Sequence, residues 1–352
     1  MKTGKSLQEL AVELDRQVKS RKDFIAATAV LEAHVDEGRV KLGGFNGGGH
    51  DLTEYAHGQM AESLSIPKKY YDRMKVLAPE LLANNVNHWF KAEPQRRLIR
   101  TLDNKVRAVL SDKYRPLDNF DLAQVALPIF SEQGAQVVSA ELTERRLYLK
   151  TTLPSMRAEI GASRQQGDIV EAGLVISNSE VGAGALRVEP MIFRLVCKNG
   201  MIAADATMRK YHIGKAAGGA DGIFEYLTDE TRRADDKAFW LKVRDVVRGA
   251  FNRDLFDTLV RKIEATAAEQ IGEIKLDKFV ENVTSKFSLP EGSREGILRN
   301  LIEGGDLSQW GTVNAITRTS QDIEDYDQAT DFERAGGKVL ELSPNDWKEI
   351  AA

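Results

Sequence analysis

A single cysteine, Cys197, stands in the 352 residues, which excludes an internal disulfide and a cysteine-rich zinc site. The five histidines are His34, His50, His57, His88 and His212. None has a second histidine at H-x-x-x-H spacing, so a zinc hydrolase lacks its ligand pattern. No run approaches the roughly 18 apolar residues of a membrane span. The opening MKTGKSLQELAVELDRQ carries charges where a signal peptide needs an apolar stretch, so the expectation is a cytoplasmic protein with no membrane partner. Basic excess is also missing. Lys plus Arg number 49 against 53 acids, for a net charge of −4, so any nucleic-acid surface has to be local. The glycine-rich GGFNGGGH, residues 43–50, has neither a phosphate-loop lysine nor dinucleotide spacing, and reads as a loop. No cofactor, bound metal or nucleotide hydrolysis is therefore expected. What is present is a hydrophobic content of 42%, enough for a core and too much for wholesale disorder.

The chain divides by pattern. Ser6 and Glu9 have capping-box spacing ahead of Leu7, Leu10, Leu14 and Val18, which predicts a helix over 6–20. Residues 24–42 could be a hairpin broken at Glu37-Gly38. Thr53, Pro67 and Pro79 mark three helix starts. QMAESLSIPKKYYDRM has the rhythm of a helix-turn-helix that would offer Lys68, Lys69 and Arg73 to DNA. A helical hairpin with inward tyrosines is the plainer reading and is preferred. RRLIRTL and KVRAVLS flank Asp103-Asn104, which predicts a hairpin. A helix broken at Pro128 follows. Residues 136–149, 168–177 and 186–196 read as strands, with a tight turn at Asn199-Gly200. Helical periodicity returns from about 234, and Ser343-Pro344 marks a late helix start. Residues 312–352 hold nine acids against four bases. The expected fold is α+β: a central antiparallel β-sheet region over 96–230, between a mainly helical segment 1–95 and a helical, acidic-ended segment 231–352.

Chemistry is concentrated in the hairpin. Residues 90–119 hold eight bases against four acids, flanked by Trp89, Phe90 and Tyr114. With Asp103 and Asn104 as the turn, Arg100 faces Arg107, a repulsion of up to about 1 kcal/mol. A shared anion removes it: a protein acid such as Asp112 or Asp118, or a ligand phosphate. Bases beside aromatics suit single-stranded DNA, whose phosphates take charge and whose bases stack. The candidate nucleic-acid residues are Arg96, Arg97, Arg100, Lys105, Arg107, Lys113, Tyr114 and Arg115, joined by Arg187, Arg194 and Lys198 if both strand series share a groove. The alternative is an enzyme or regulator with a polar site around Asn178, Ser179, Glu180 and His212. No nucleophile-elbow signature accompanies that serine, and Gly182 and Gly184 read as a turn. Cys197, ending an apolar strand, reads as a small hydrophobe.

The strings HGQMAESLSIPKKYYDRM, PELLANNVNHWF, RTLDNKVRAVLSDKYRPLDN, ISNSEVGAGALRVEPMIFRLVCKNGMI and WGTVNAITR resemble a family of unknown function carried on prophages, phages and plasmids. The resemblance runs from about residue 50 to 320. It departs at the hairpin tip, where Asp103-Asn104 replaces the family's frequent Asp-Gly. Members keep company with recombination and replication genes. The resemblance thus implies DNA metabolism by association: a non-catalytic DNA-binding protein of a mobile element, a homo-oligomer that anneals single strands.

Overall fold

The computed structural model describes residues 1–114, 116–163, 167–203 and 229–352. Helix α1, Leu7–Ser20, starts at the expected capping box: the Ser6 hydroxyl accepts from the Glu9 amide, and Glu9 accepts from the Ser6 amide. Strand β1, Lys22–Ala27, follows, then β2, Glu32–Asp36, and β3, Arg39–Gly43. The β2–β3 turn is Glu37-Gly38, both at positive φ, 52° and 73°. Next come β4, His50–Leu52, and helices α2, Glu54–Ser63, α3, Lys68–Leu77, and α4, Pro79–Ala92. Thr53 caps α2 through its hydroxyl, and Pro79 opens α4. Tyr71 is fully buried between these helices, whereas Tyr70 is half exposed.

The predicted hairpin is β5, Arg96–Leu102, and β6, Lys105–Ser111. Asp103 and Asn104 take φ of 50° and 61°, the left-handed pair that a two-residue turn of this hand requires. The first sheet has the order β1-β5-β6-β4-β3-β2, with only β4 and β6 parallel. Sheet pairing therefore starts at residue 22, and β1 joins β5 across position 95. One face of this sheet packs on α2–α4 through Leu42, Val40, Ile99, Val106, Met60 and Val86.

Helix α5, Asn119–Gln133, runs unbroken through Pro128, where a break was expected. Leu122, Ala126, Ile129 and Phe130 keep one buried face on both sides of the proline, and that packing outweighs one lost backbone bond. The second sheet is antiparallel, order β11-β10-β9-β8-β7. Its strands are β7, Gln136–Leu142, β8, Leu147–Glu159, β9, Ile169–Asn178, β10, Arg187–Arg194, and β11, Asn199–Ile202. Residues 136–149 are thus two strands, not one. Thr143 accepts the Arg146 amide on its hydroxyl and reverses the chain there. The turn before β11 is 195–198, with Lys198 at φ 50°, so Asn199-Gly200 opens a strand instead of forming the turn. Asn199 points inward and donates to Asn314 and Thr317, which fixes it in β11.

The remaining helices are α6, Asp229–Ala250, α7, Arg253–Ala268, α8, Leu276–Lys286, α9, Arg294–Gly304, α10, Gln309–Thr319, α11, Tyr326–Leu340, and α12, Pro344–Ala351. One face of the second sheet packs Ala140, Leu149, Leu174, Ile176 and Val188 against α1, α5 and α6. The other turns Tyr148, Val175 and Met191 toward Tyr326 of α11. There Lys150 and Glu333, both fully buried, pair at 2.6 Å, with the lysine 4.5 Å from the Tyr326 ring centre. The fold is α+β, with one mixed but mainly antiparallel sheet and one antiparallel sheet between helical ends. Among the described residues no helix is long and apolar enough to cross a membrane.

One buried base ties the first sheet's helices to pH. His57 Nδ1 lies 2.9 Å from the Tyr71 hydroxyl, and burial, then the Lys75 charge, pushes the imidazole down to about 4. The unfolded chain takes up this proton near its ordinary value of about 6.5. Protonation between those values favours the unfolded state. Stability should fall as pH drops from 6.5 to about 4, by on the order of 3 kcal/mol, and level off below. Urea unfolding of wild type and His57→Gln across this range checks it. The difference between the two curves should narrow as pH falls, and a constant difference contradicts the assignment.

Candidate functional site

The two arginines of the hairpin do not face each other. A β-bulge lies between Arg100 and Thr101: Thr101 pairs with Val106 and Arg100 with Ala108, so Arg107 is the extra residue. Both are nevertheless neutralised by protein acids. Arg100, fully buried, donates from Nε to Asp23 and from Nη2 to Asp118, each at 2.9 Å, and from Nη1 to the Glu180 carbonyl at 2.8 Å. Burial opposes its charge, but the bonds and charges of Asp23 and Asp118 hold the guanidinium's pKa above its ordinary value. Arg107 donates from Nη1 to Glu180 Oε2 at 2.6 Å, and Glu180 Oε1 accepts the Asn119 amide. Arg21, at the end of α1, adds a contact to Asp118 at 2.6 Å. Asp118, one of the acids expected to neutralise the pair, holds Arg100 and Arg21 but is not shared with Arg107, whose acid is Glu180. Asp112 lies 3.9 Å from Arg96 instead.

The two candidate sites are therefore adjacent. Asn178 donates to the Leu117 carbonyl and to Asn119, and Tyr114 donates to the Ser179 carbonyl at 3.0 Å. The Ser179 hydroxyl accepts the amides of Val181 and Ala183 and is buried. This holds the 179–183 turn, with Gly182 at φ 80°, and gives the serine a structural task. His212 and Arg115 lie outside the described residues. Asp23 and Arg21 were not singled out in the sequence, and a charge pair beside an apolar run gives no hint of its distant partner. Lys150 did carry a signal, a lone lysine inside the apolar LYLKTTL.

The other bases separate. Arg194 is buried, and its Nε and Nη2 hold Asp168 at 2.5 and 2.9 Å, beside the Trp310 indole. Arg187 lies with it on β10, and Lys198 lies in the turn between β10 and β11. Arg96 and Lys113 are exposed at the open end of the hairpin. Arg97 lines a cleft of about 360 Å³ there with Tyr70, Asn85, Trp89 and Gln95. Tyr70 and Trp89 are 48% and 39% exposed, unusual for large rings, and Asn85 Oδ1 is buried without a hydrogen-bond partner. At the hairpin tip, Lys105 and Arg107 line a second cavity of about 320 Å³ with Arg16, Arg146 and Glu180. Arg187, Arg194 and Lys198 line neither. Among the described residues no cluster of His, Cys, Asp or Glu could hold a metal ion.

Fold and site define an α+β protein whose two sheets are joined by a buried ion network, with a polar cavity at the hairpin tip and an aromatic cleft at its open end. The chain belongs to the family described as a domain of unknown function (DUF932), whose model matches residues 106–333. No curated protein and no solved structure matches it. The matched span includes Arg107, Asp118 and Glu180, while Tyr70, Trp89 and Arg97 precede it.

The network makes a direct prediction. Arg100→Met leaves Asp23 without its guanidinium and Asp118 with Arg21 alone, and should cost about 3 kcal/mol, the low end for removing one partner of a buried pair. Asp23→Asn should cost less, since that side chain is 36% exposed. Urea midpoints measure both, and an unchanged midpoint for Arg100→Met shows that the network contributes nothing to stability.

Proposed function

We propose that the protein binds single-stranded DNA in the cytoplasm as a non-catalytic homo-oligomer of a phage or plasmid, acting in annealing or recombination. The observation that carries this reading is the cleft at the open end of the hairpin. Two half-exposed rings, Tyr70 and Trp89, share it with Arg97 and with an unpartnered acceptor, Asn85 Oδ1. Rings of this kind stack on bases of any sequence, an arginine takes the phosphate, and a free acceptor suits a base amino group. Arg96 and Lys113, exposed beside it, extend the positive surface. The resemblance of the quoted strings to phage and plasmid proteins supports the mobile-element setting.

Arg100 has no part in this surface, because its donors are committed to Asp23, Asp118 and the Glu180 carbonyl. The polar-site alternative loses its serine for the same kind of reason, since the Ser179 hydroxyl is buried and holds its own turn.

Fluorescence anisotropy with a labelled oligo-dT, and with a duplex of equal length, tests the proposal at low and high salt. Trp89→Ala should weaken single-strand binding by about 1–3 kcal/mol, the range for one lost stacking platform. Arg97→Gln should weaken all sequences alike and flatten the salt dependence by about 0.7 in slope. Wild-type protein that ignores DNA at low salt, or variants that bind as wild type, overturn the reading.

A further inference from the structure

The cavity at the hairpin tip carries a separate assignment, independent of the DNA reading. A guanidinium has five N–H donors in a fixed fork. Arg107 uses Nη1 on Glu180, but its Nε and Nη2 are buried and donate to nothing among the described residues. The side chain is only 9% exposed, so bulk water does not stand in. The same edge is filled in two other arginines of this chain. Nε and Nη2 of Arg194 hold the two oxygens of Asp168, and those of Arg334 hold the two oxygens of Glu189. In Arg107 that edge has no partner among the described residues, and Arg107 lines a cavity of about 320 Å³, the size of a small-ligand site.

The other cations of the cavity are mostly committed. Arg16 is held by Glu13 and Asp103, Arg145 by Asp327, and Arg146 by the Ala183 carbonyl. Lys105 is exposed and lines the cavity, and no ion pair holds it among the described residues. Glu180 serves two purposes. It offsets the Arg107 charge, and by fixing Nη1 it orients the opposite edge of the guanidinium. The bulge supplies the geometry, because it inserts Arg107 as an extra residue on β6.

We infer that this cavity binds a small molecule through an anionic head group with two oxygens, a carboxylate or a phosphate, seated on Nε and Nη2 of Arg107 with Lys105 as the second cation. The head group does for Arg107 what Asp168 does for Arg194.

Thermal-shift titrations with inorganic phosphate and, separately, malonate test this, with ionic strength held constant by sodium chloride. A saturable rise in Tm with either anion is expected, and the anion that produces it identifies the head group. Arg107→Lys keeps the charge beside Glu180 but loses the two-donor edge, and should weaken binding by about tenfold or more. Lys105→Gln, at an exposed position, should weaken it by a smaller factor and keeps the test decisive if the first variant does not fold. Arg97→Gln, in the other cleft, should leave binding unchanged, which separates this site from the DNA surface. Three results overturn the assignment: no saturable shift with either anion, loss of binding in Arg97→Gln alone, or wild-type binding in Lys105→Gln and in any Arg107→Lys protein that folds. The last would show an adventitious ion only.

Discussion

Glu180 is a carboxylate held at 5% exposure, between two sheets. Taking such a charge out of water costs several kcal/mol unless opposite charge and hydrogen bonds replace the water. Here the replacement comes from the Arg107 guanidinium and the Asn119 amide, while Arg100 holds the neighbouring carbonyl. Arg100 in turn needs Asp23 and Asp118, and Asp118 takes Arg21 as well. Three cationic and three anionic side chains are thus interlocked, drawn from α1, β1, β5, β6, the start of α5 and the end of β9. No element in that set can shift without stranding a buried charge. The network thus ties the first sheet to the second, and two of its members, Arg107 and Glu180, line the cavity at the hairpin tip.

The hairpin also divides the chemistry. Along β5 the side chains alternate. Arg97 and Ile99 face α2–α4, while Leu98 and Arg100 face the other way. The aromatic cleft forms on the first face and at the open end. The Arg107 cavity forms at the tip, next to the second sheet. The two surfaces differ in kind. One exposes rings with a flanking arginine, which suits a flexible polymer with stacked bases. The other buries one guanidinium edge inside a walled space, which suits a compact anion.

Local signals in the sequence were read well, and long-range ones were not. The Ser6–Glu9 box, Thr53, Pro79, Asp103-Asn104 and Ser343-Pro344 each mark an element boundary that the structure has, because each acts within a few residues. The bulge at Arg107 could not be read. A simple alternation places Arg107 opposite Arg100, whereas the bulge pairs Arg100 with Ala108 and sends Arg107 to the distant Glu180. Opposed arginines need acids, and of the two nearby candidates Asp118 does hold Arg100, although Arg107 takes Glu180 and the two arginines share no carboxylate. Asp23 and Glu180 were missed as partners, since they stand 77 and 80 positions from Arg100. Pro128 and Asn199-Gly200 misled for a related reason: tertiary burial decided their conformation over local preference. The Lys150–Glu333 pair, 183 positions apart, shows the same limit.

The ion network at the sheet junction leaves Nε and Nη2 of Arg107 without a partner among the described residues. A crystal structure of the protein grown in inorganic phosphate should show an anion in the tip cavity, with two oxygens at hydrogen-bond distance from Nε and Nη2 of Arg107 and Glu180 still on Nη1. A carboxylate or carbonyl of the chain itself on that edge, with the cavity closed over it, would rule this out.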